Sequence, residues 1–204
     1  MDTLSGLEFM DANALLEKIK KKIEEFNAND VAREGCEPSL HPSAILIPLV
    51  VINGELKIIF TRRSSALERH QGQVSFPGGL VELGDKSPIE TALRETCEEI
   101  NIRYSQIEVL GALHTYKSQS GYCIFPVVGF IHNLNGLQRN GEEVERIFFV
   151  PYHWLVNPKH SALLDFQTTE GITRKVWFFD EYEGELLWGI TADITKIFIG
   201  LIEN

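Results

Sequence analysis

The 204-residue chain has only three cysteines, Cys36, Cys97 and Cys123, and no CxxC spacing among them. That scarcity argues against both a disulfide framework and a thiolate zinc site, so all three are expected to be reduced and structural. Long apolar runs are also missing: the longest, Ala44 to Ile52, already contains Pro48, and a membrane span needs about 20 residues. The first residues, MDTLSGLEFMD, lack a basic start and a continuous apolar stretch, so no secretory signal is expected and a cytoplasmic location is the default. Positive charge is in deficit, with 19 Lys and Arg against 29 Asp and Glu and a net charge of −10. Such a surface repels polyanions, which disfavours nucleic-acid binding and leaves room for a small anionic substrate only where a metal ion or a local basic cluster receives it. No repeat, low-complexity tract or linker-like composition break interrupts the chain.

What is present suits a globular fold. The chain is 44% apolar and 24% charged, with twelve Phe and three Trp, enough to build a core. One domain over residues 1–204 is expected. Leu15, Leu16, Ile19, Ile23 and Phe26 recur at helical spacing, with interleaved Lys and Glu between them. They predict an amphipathic helix over about residues 8–28 docked on the domain rather than on a membrane. Residues 43–52 and 56–61 read as strands joined by a tight turn at Asn53-Gly54. Further strands are expected over 107–113, 122–131, 146–150 and 173–179, and a last helix over about 192–202. This order of elements predicts a mixed sheet covered by helices, an α/β class.

The informative helix is predicted over residues 87–100. Ser87 can cap it, Pro88 suits its first position and Glu90 completes a capping box. Ile89, Ala92, Leu93, Thr96 and Ile100 form the expected buried stripe. Glu95, Glu98 and Glu99 stand at i, i+3 and i+4, a patch of like charge at the negative end of the helix dipole. A solvated acidic face is one reading. Compensation by a hard divalent cation, Mg²⁺ or Mn²⁺, is the other, and carboxylate oxygens are its preferred ligands. Upstream, Phe76-Pro77-Gly78-Gly79 allows close approach of backbone to an ion or ligand.

Gly79, Asp85, Arg94, Glu95, Glu98 and Glu99 together resemble the signature of the Nudix hydrolases, Gx5Ex7REUxEExGU. Asp replaces the first Glu, eight residues rather than seven separate it from Arg94, Thr96 takes an apolar position and Asn101 replaces the last Gly. Asn101 can still end the helix, because Asn tolerates a left-handed conformation. The resemblance implies an α/β/α sandwich on a mixed sheet. It also implies metal binding by Glu95, Glu98 and Glu99, with the Gly79 carbonyl as a further ligand and Arg94 orienting Glu95 and pairing with Asp85. Glu143 and Glu145, in the loop after Gly141, are candidates for the base that activates water.

Arg62, Arg63 and Arg69, beside His70, form a local basic cluster suited to phosphates. The run from Ile59 to Gly79 looks like the coenzyme A pyrophosphatase branch of that family, whose motif reads LLTxR[SA]x3Rx3Gx3FPGG. Thr61, Arg63, Ser64, Gly72 and Phe76 to Gly79 match, while Glu68 stands where the motif has Arg and Arg69 follows one place later. Glu143-Val144-Glu145, Phe149-Val150-Pro151 and Trp188 to Ala192 also resemble this branch. The resemblance implies cleavage of coenzyme A or acyl-coenzyme A to 3′,5′-ADP and a 4′-phosphopantetheine compound. ADP-ribose or a dinucleotide is the alternative substrate, and a non-catalytic nucleotide sensor is the alternative class, which the intact RExxEE disfavours. The expected partner is a small nucleotide, with no nucleic acid and no membrane, and a homodimer stays open.

Overall fold

The computed structural model describes residues 11–29, 35–66, 71–167 and 171–204. Its elements are α1 (Ala12–Asn29), β1 (His41–Ile52), β2 (Glu55–Arg63), β3 (Val74–Ser75), β4 (Gly78–Leu80), α2 (Pro88–Ile100), β5 (Ile107–Ala112), β6 (Tyr116–Lys117), β7 (Tyr122–Ile131), β8 (Val144–Pro151), α3 (Tyr152–Val156), β9 (Ser161–Gln167), β10 (Thr173–Phe179) and α4 (Gly189–Glu203). Residues 8–10, the start of the expected first helix, lie outside the described residues.

β1 is the axis of an eight-stranded mixed sheet, parallel to β7 and antiparallel to β2. Nearly all its residues are apolar, as in strands covered on both faces. Alternation sorts them. Ile47 and Leu49 join α1 and α4 in one core, with Leu15, Leu16, Ile19, Ile23, Phe198 and Ile202. Ala44, Leu46 and Val50 face the other way, towards Ala92, Ile100 and Ile102 in and beyond α2. The helices therefore cover both faces, an α/β/α sandwich as expected from the sequence. Asn53 and Gly54 both have positive φ, 53° and 77°, and close the β1/β2 hairpin.

The two strands of that hairpin pair only from Leu49↔Ile58 to Ile52↔Glu55, then splay. Residues 74–80 enter the gap: Val74 and Ser75 pair with Arg62 and Thr61 of β2, while Gly78, Gly79 and Leu80 pair with Ile45, Ala44 and Ser43 of β1. Pro77 accepts a hydrogen bond from the Leu46 N–H at 2.9 Å between them. Only glycine fits at 78, because a Cβ there would overlap Ala44 O and lie 2.7 Å from Ile45 Cα. This wedge places the two glycines under α2. Such two- and three-residue strands leave no periodicity to read, which is why the sequence did not reveal them. β9 was missed because its exposed Leu163 and Leu164 belong to a separate two-stranded ribbon with β10.

One expectation is overturned. Cys36 and Cys123 form a disulfide, with Cα atoms 5.8 Å apart and a sequence separation of 87, and Cys97 alone is free. The parallel register sets Cys123 opposite Pro42, so strand pairing brings the segment before β1 to β7, a proximity that chain spacing cannot show. The cysteines therefore give no support to a reducing compartment. Among the described residues no helix is long and apolar enough to cross a membrane.

Candidate active site

α2 starts where the sequence places it. The Ser87 hydroxyl accepts from the Glu90 N–H at 3.2 Å, and Pro88 occupies the first position. The capping box is displaced, however: the Glu90 carboxylate accepts from the Lys86 N–H at 2.7 Å rather than from Ser87. Asn101 ends the helix in the left-handed conformation, φ 57° and ψ 33°. The last carbonyls are satisfied from outside, as Asn140 N–H donates to Glu99 O at 2.8 Å and Gln138 N–H to Ile100 O at 3.1 Å. These bonds dock the 138–143 segment beneath the helix end and bring Glu143 to the cluster.

The buried stripe also differs from expectation. Ala92, Thr96 and Ile100 are buried, but so are Thr91 and Glu99, whereas Ile89 and Leu93 are only partly covered. The three glutamates therefore do not share one exposed patch. The Glu98 side chain is 52% exposed, Glu95 13% and Glu99 3%. The carboxylates span the depth of the site.

Arg94 organises the outer part. Its Nε and Nη2 donate to Asp85 Oδ1 and Oδ2, each at 3.0 Å, and Nη1 donates to Glu95 Oε1 at 2.9 Å and Glu98 Oε2 at 3.0 Å. The Arg94 fork, helped by the Glu82 N–H and the Thr91 hydroxyl, holds the Asp85 carboxyl far below the usual range. Asp85 reciprocally raises the Arg94 guanidinium. Glu95 is pushed up by burial, opposed by Arg94 and reinforced by Glu98 and Glu143.

The inner part is unbalanced. Burial raises the Glu99 carboxyl to about 8, against the pull of Arg63 and with the push of Glu95 and Glu143. Arg63 Nη1 lies 4.0 Å from Glu99 Oε1. Among the described residues Glu99 Oε2 is buried with no hydrogen-bond partner, an expensive state for an acceptor. At Gly79 a Cβ would overlap Glu95 Oε1 and lie 2.8 Å from Oε2, so the missing side chain leaves backbone and carboxylate in direct apposition. Among the described residues no three acidic, His or Cys side chains converge on one point, because Arg94 lies between Glu95 and Glu98. The orphaned Glu99 oxygen, the adjoining glutamates and the bare Gly79 backbone nevertheless fit a hard divalent cation, being an all-oxygen donor set that lacks positive charge at its deepest point.

The basic cluster divides. Arg63 faces Glu99, but Arg62 points to the opposite side of the sheet, where Glu145 and Glu185 take its guanidinium at 2.9 and 3.2 Å. Arg62, expected to bind substrate, is thus not brought to this cluster, and Glu145 is drawn away with it. Arg69, with Glu68 and His70, lies outside the described residues. Sequence reasoning missed the Gly78 N–H as a donor to the Glu99 carboxylate and missed Glu185, which carries no motif or periodic signal.

Residues 41–171 match the NUDIX domain family. The uncharacterized Nudix hydrolase NudL of Photorhabdus laumondii is 39% identical over 152 residues, 74% of this chain and 80% of that protein. That of Yersinia pestis is 39% identical over 154 residues, 76% of each. Among solved structures, a MutT/nudix family protein from Enterococcus faecalis aligns with 90% of this chain and 71% of its own, at 14% identity and TM-score 0.49. The NUDIX domain of Shewanella oneidensis NrtR, solved with ADP ribose, aligns with 63% of this chain and 82% of its own, at 19% identity and TM-score 0.44. With the signature residues gathered around one helix and one glycine wedge, this chain belongs to the NUDIX family and is a Nudix pyrophosphohydrolase.

Proposed function

We propose that the protein hydrolyses the diphosphate of coenzyme A or acyl-coenzyme A in the presence of Mg²⁺ or Mn²⁺, giving 3′,5′-ADP and a 4′-phosphopantetheine compound. The observation that carries the metal-assisted reading is the apposition of Glu99 to Arg63 and to the glycine wedge: an oxygen donor with one atom unpartnered among the described residues, beside a cation able to grip a phosphate. Glu95, Glu98, Glu99 and the Gly79 carbonyl would hold the metal, which when bound supplies charge neutralisation at the diphosphate and a more acidic water. Arg94 orients Glu95 and, anchored by Asp85, can yield its contacts with Glu95 and Glu98 without leaving the site. Arg63 binds phosphate oxygens. Glu143, at the helix end, is the candidate base for the attacking water. Arg69 is a second candidate phosphate contact.

The FPGG-bearing motif favours coenzyme A. Glu68 in place of the motif Arg favours a second reading, in which the substrate lacks the 3′-phosphate, such as ADP-ribose or a dinucleotide. Specificity constants for coenzyme A, its 3′-dephospho form and ADP-ribose with Mg²⁺ test both. A preference for the dephospho form that Glu68→Arg abolishes would overturn coenzyme A as substrate. Reaction in ¹⁸O-water should label one of the two monophosphate products, and release of inorganic phosphate from the 3′ position would contradict diphosphate cleavage.

A further inference from the structure

Consecutive residues on a strand leave opposite faces, so Arg63 reaches Glu99 while Arg62 enters a different network. Arg62 Nη1 donates to Glu185 Oε1 at 3.2 Å, and the same oxygen accepts from Arg146 Nη1 at 2.9 Å. Arg146 also grips Glu183, through Nη2 to Oε2 at 2.8 Å and through Nη1 to the carbonyl at 2.9 Å. Glu185 is only 4% exposed. Arg62 and Arg146 are direct cross-strand partners on β2 and β8, a like-charge pair that would repel without the carboxylate between them.

This contact sits at an irregularity of the sheet. Arg62 pairs with Arg146 but Arg63 pairs with Val144, so Glu145 is left over as a bulge, and Glu145 Oε1 lies 2.9 Å from Arg62 Nη2. Bulges bend a strand and re-aim its side chains. Immediately beyond it, the Ser64 N–H donates to Glu143 O at 2.8 Å. The residues that fix the bulge therefore also fix how β8 runs past Arg63 and the place of Glu143. Stability alone does not account for a buried carboxylate shared by two arginines, since apolar replacements of such clusters are often as stable.

We propose that Glu185, on the turn between β10 and α4, is a positioning residue for the diphosphate site: by clamping Arg62 to Arg146 it fixes the bulge in β8 that holds β2 in place at Arg63 and sets Glu143 beside it. Arg62 then acts through its neighbour and does not itself touch substrate. The inference rests on the reading of Arg63 as a phosphate contact.

A double-mutant cycle tests it, with Mg²⁺-ADP as the probe ligand, calorimetric Kd as the readout and the full chain as the protein. Glu185→Gln should weaken Mg²⁺-ADP binding about tenfold, whereas in an Arg63→Ala background the same substitution should change it less than about twofold, because coupled sites are not additive. Arg146→Gln leaves Glu185 paired with Arg62 and should give the same non-additive pattern at about threefold; it carries the cycle if Glu185→Gln does not fold. Equal losses in both backgrounds, or unchanged binding, would overturn the positioning role. A wild type that binds Mg²⁺-ADP with the non-additive pattern yet does not cleave coenzyme A would refute the proposed substrate and leave the role of Glu185 standing. A wild type that does not bind Mg²⁺-ADP overturns the inference.

Discussion

Asp85 and Glu99 are both carboxylates with little exposure, at opposite ends of one site, and they differ in a way that separates scaffold from working surface. Asp85 has its charge matched by both prongs of the Arg94 fork and by an amide and a hydroxyl, and its ionised form is favoured. Glu99 has a distant arginine, one oxygen without a partner among the described residues and two acidic neighbours, and its ionised form is disfavoured. A carboxylate so placed gives the folded chain little by itself. It becomes favourable when a cation arrives, which is how binding groups are retained at a cost in stability.

The sharpest way to break this contrast is to neutralise each member. Glu99→Gln should leave the protein folded and lower turnover by at least about 10²-fold, since an amide is a poor Mg²⁺ ligand and charge at the diphosphate goes uncompensated. Its metal-free thermal stability should be unchanged or higher; near-normal turnover at saturating Mg²⁺ would dismiss the contrast. Arg63→Ala should lower kcat/KM by roughly 10- to 100-fold, the worth of a charge-assisted hydrogen bond, with Tm little altered.

Asp85→Asn should act in the opposite sense to Glu99→Gln, lowering Tm at neutral pH because Arg94 loses its anchor. The folded value of Asp85 lies below its unfolded value of about 3.9, so its stabilisation is present above that pH and fades as pH falls further. Melts of wild type and Asp85→Asn should therefore differ at pH 7 and converge in acid; a constant gap would place the effect elsewhere.

A further effect concerns Glu99 without metal. Its proton persists to about 8 in the folded chain, whereas in the unfolded chain it leaves near about 4.3. Between these values the folded state holds the extra proton, so stability should fall as pH rises. Melts in EDTA should show that decline for wild type and not for Glu99→Gln, and Mg²⁺ should offset it at the upper end.

The legible part of this molecule was what repeats or what caps. Two short apolar runs and the Asn53-Gly54 turn placed β1 and β2, and Ser87, Pro88 and Asn101 bounded α2 to within a residue. RExxEE named the glutamates but not their depths, because helical spacing fixes a direction around the axis and says nothing of what packs there. Glu99 is buried only because the 74–80 wedge and the 138–143 segment close over it. Arg62 and Arg63 looked equivalent in sequence, and strand alternation sends one to the site and the other away. The Cys36–Cys123 bridge and the role of Glu185 depend on contacts across 87 and 123 residues, which no local pattern encodes.

Titration of Mn²⁺ into the protein reads out whether Glu99 lies where a divalent cation is needed. Wild type should bind Mn²⁺ with release of protons at pH 7, because Glu99 must ionise to ligate, and Glu99→Gln should bind at least about tenfold more weakly with less proton release. Equal Mn²⁺ affinity and equal proton release in the two proteins would contradict the account.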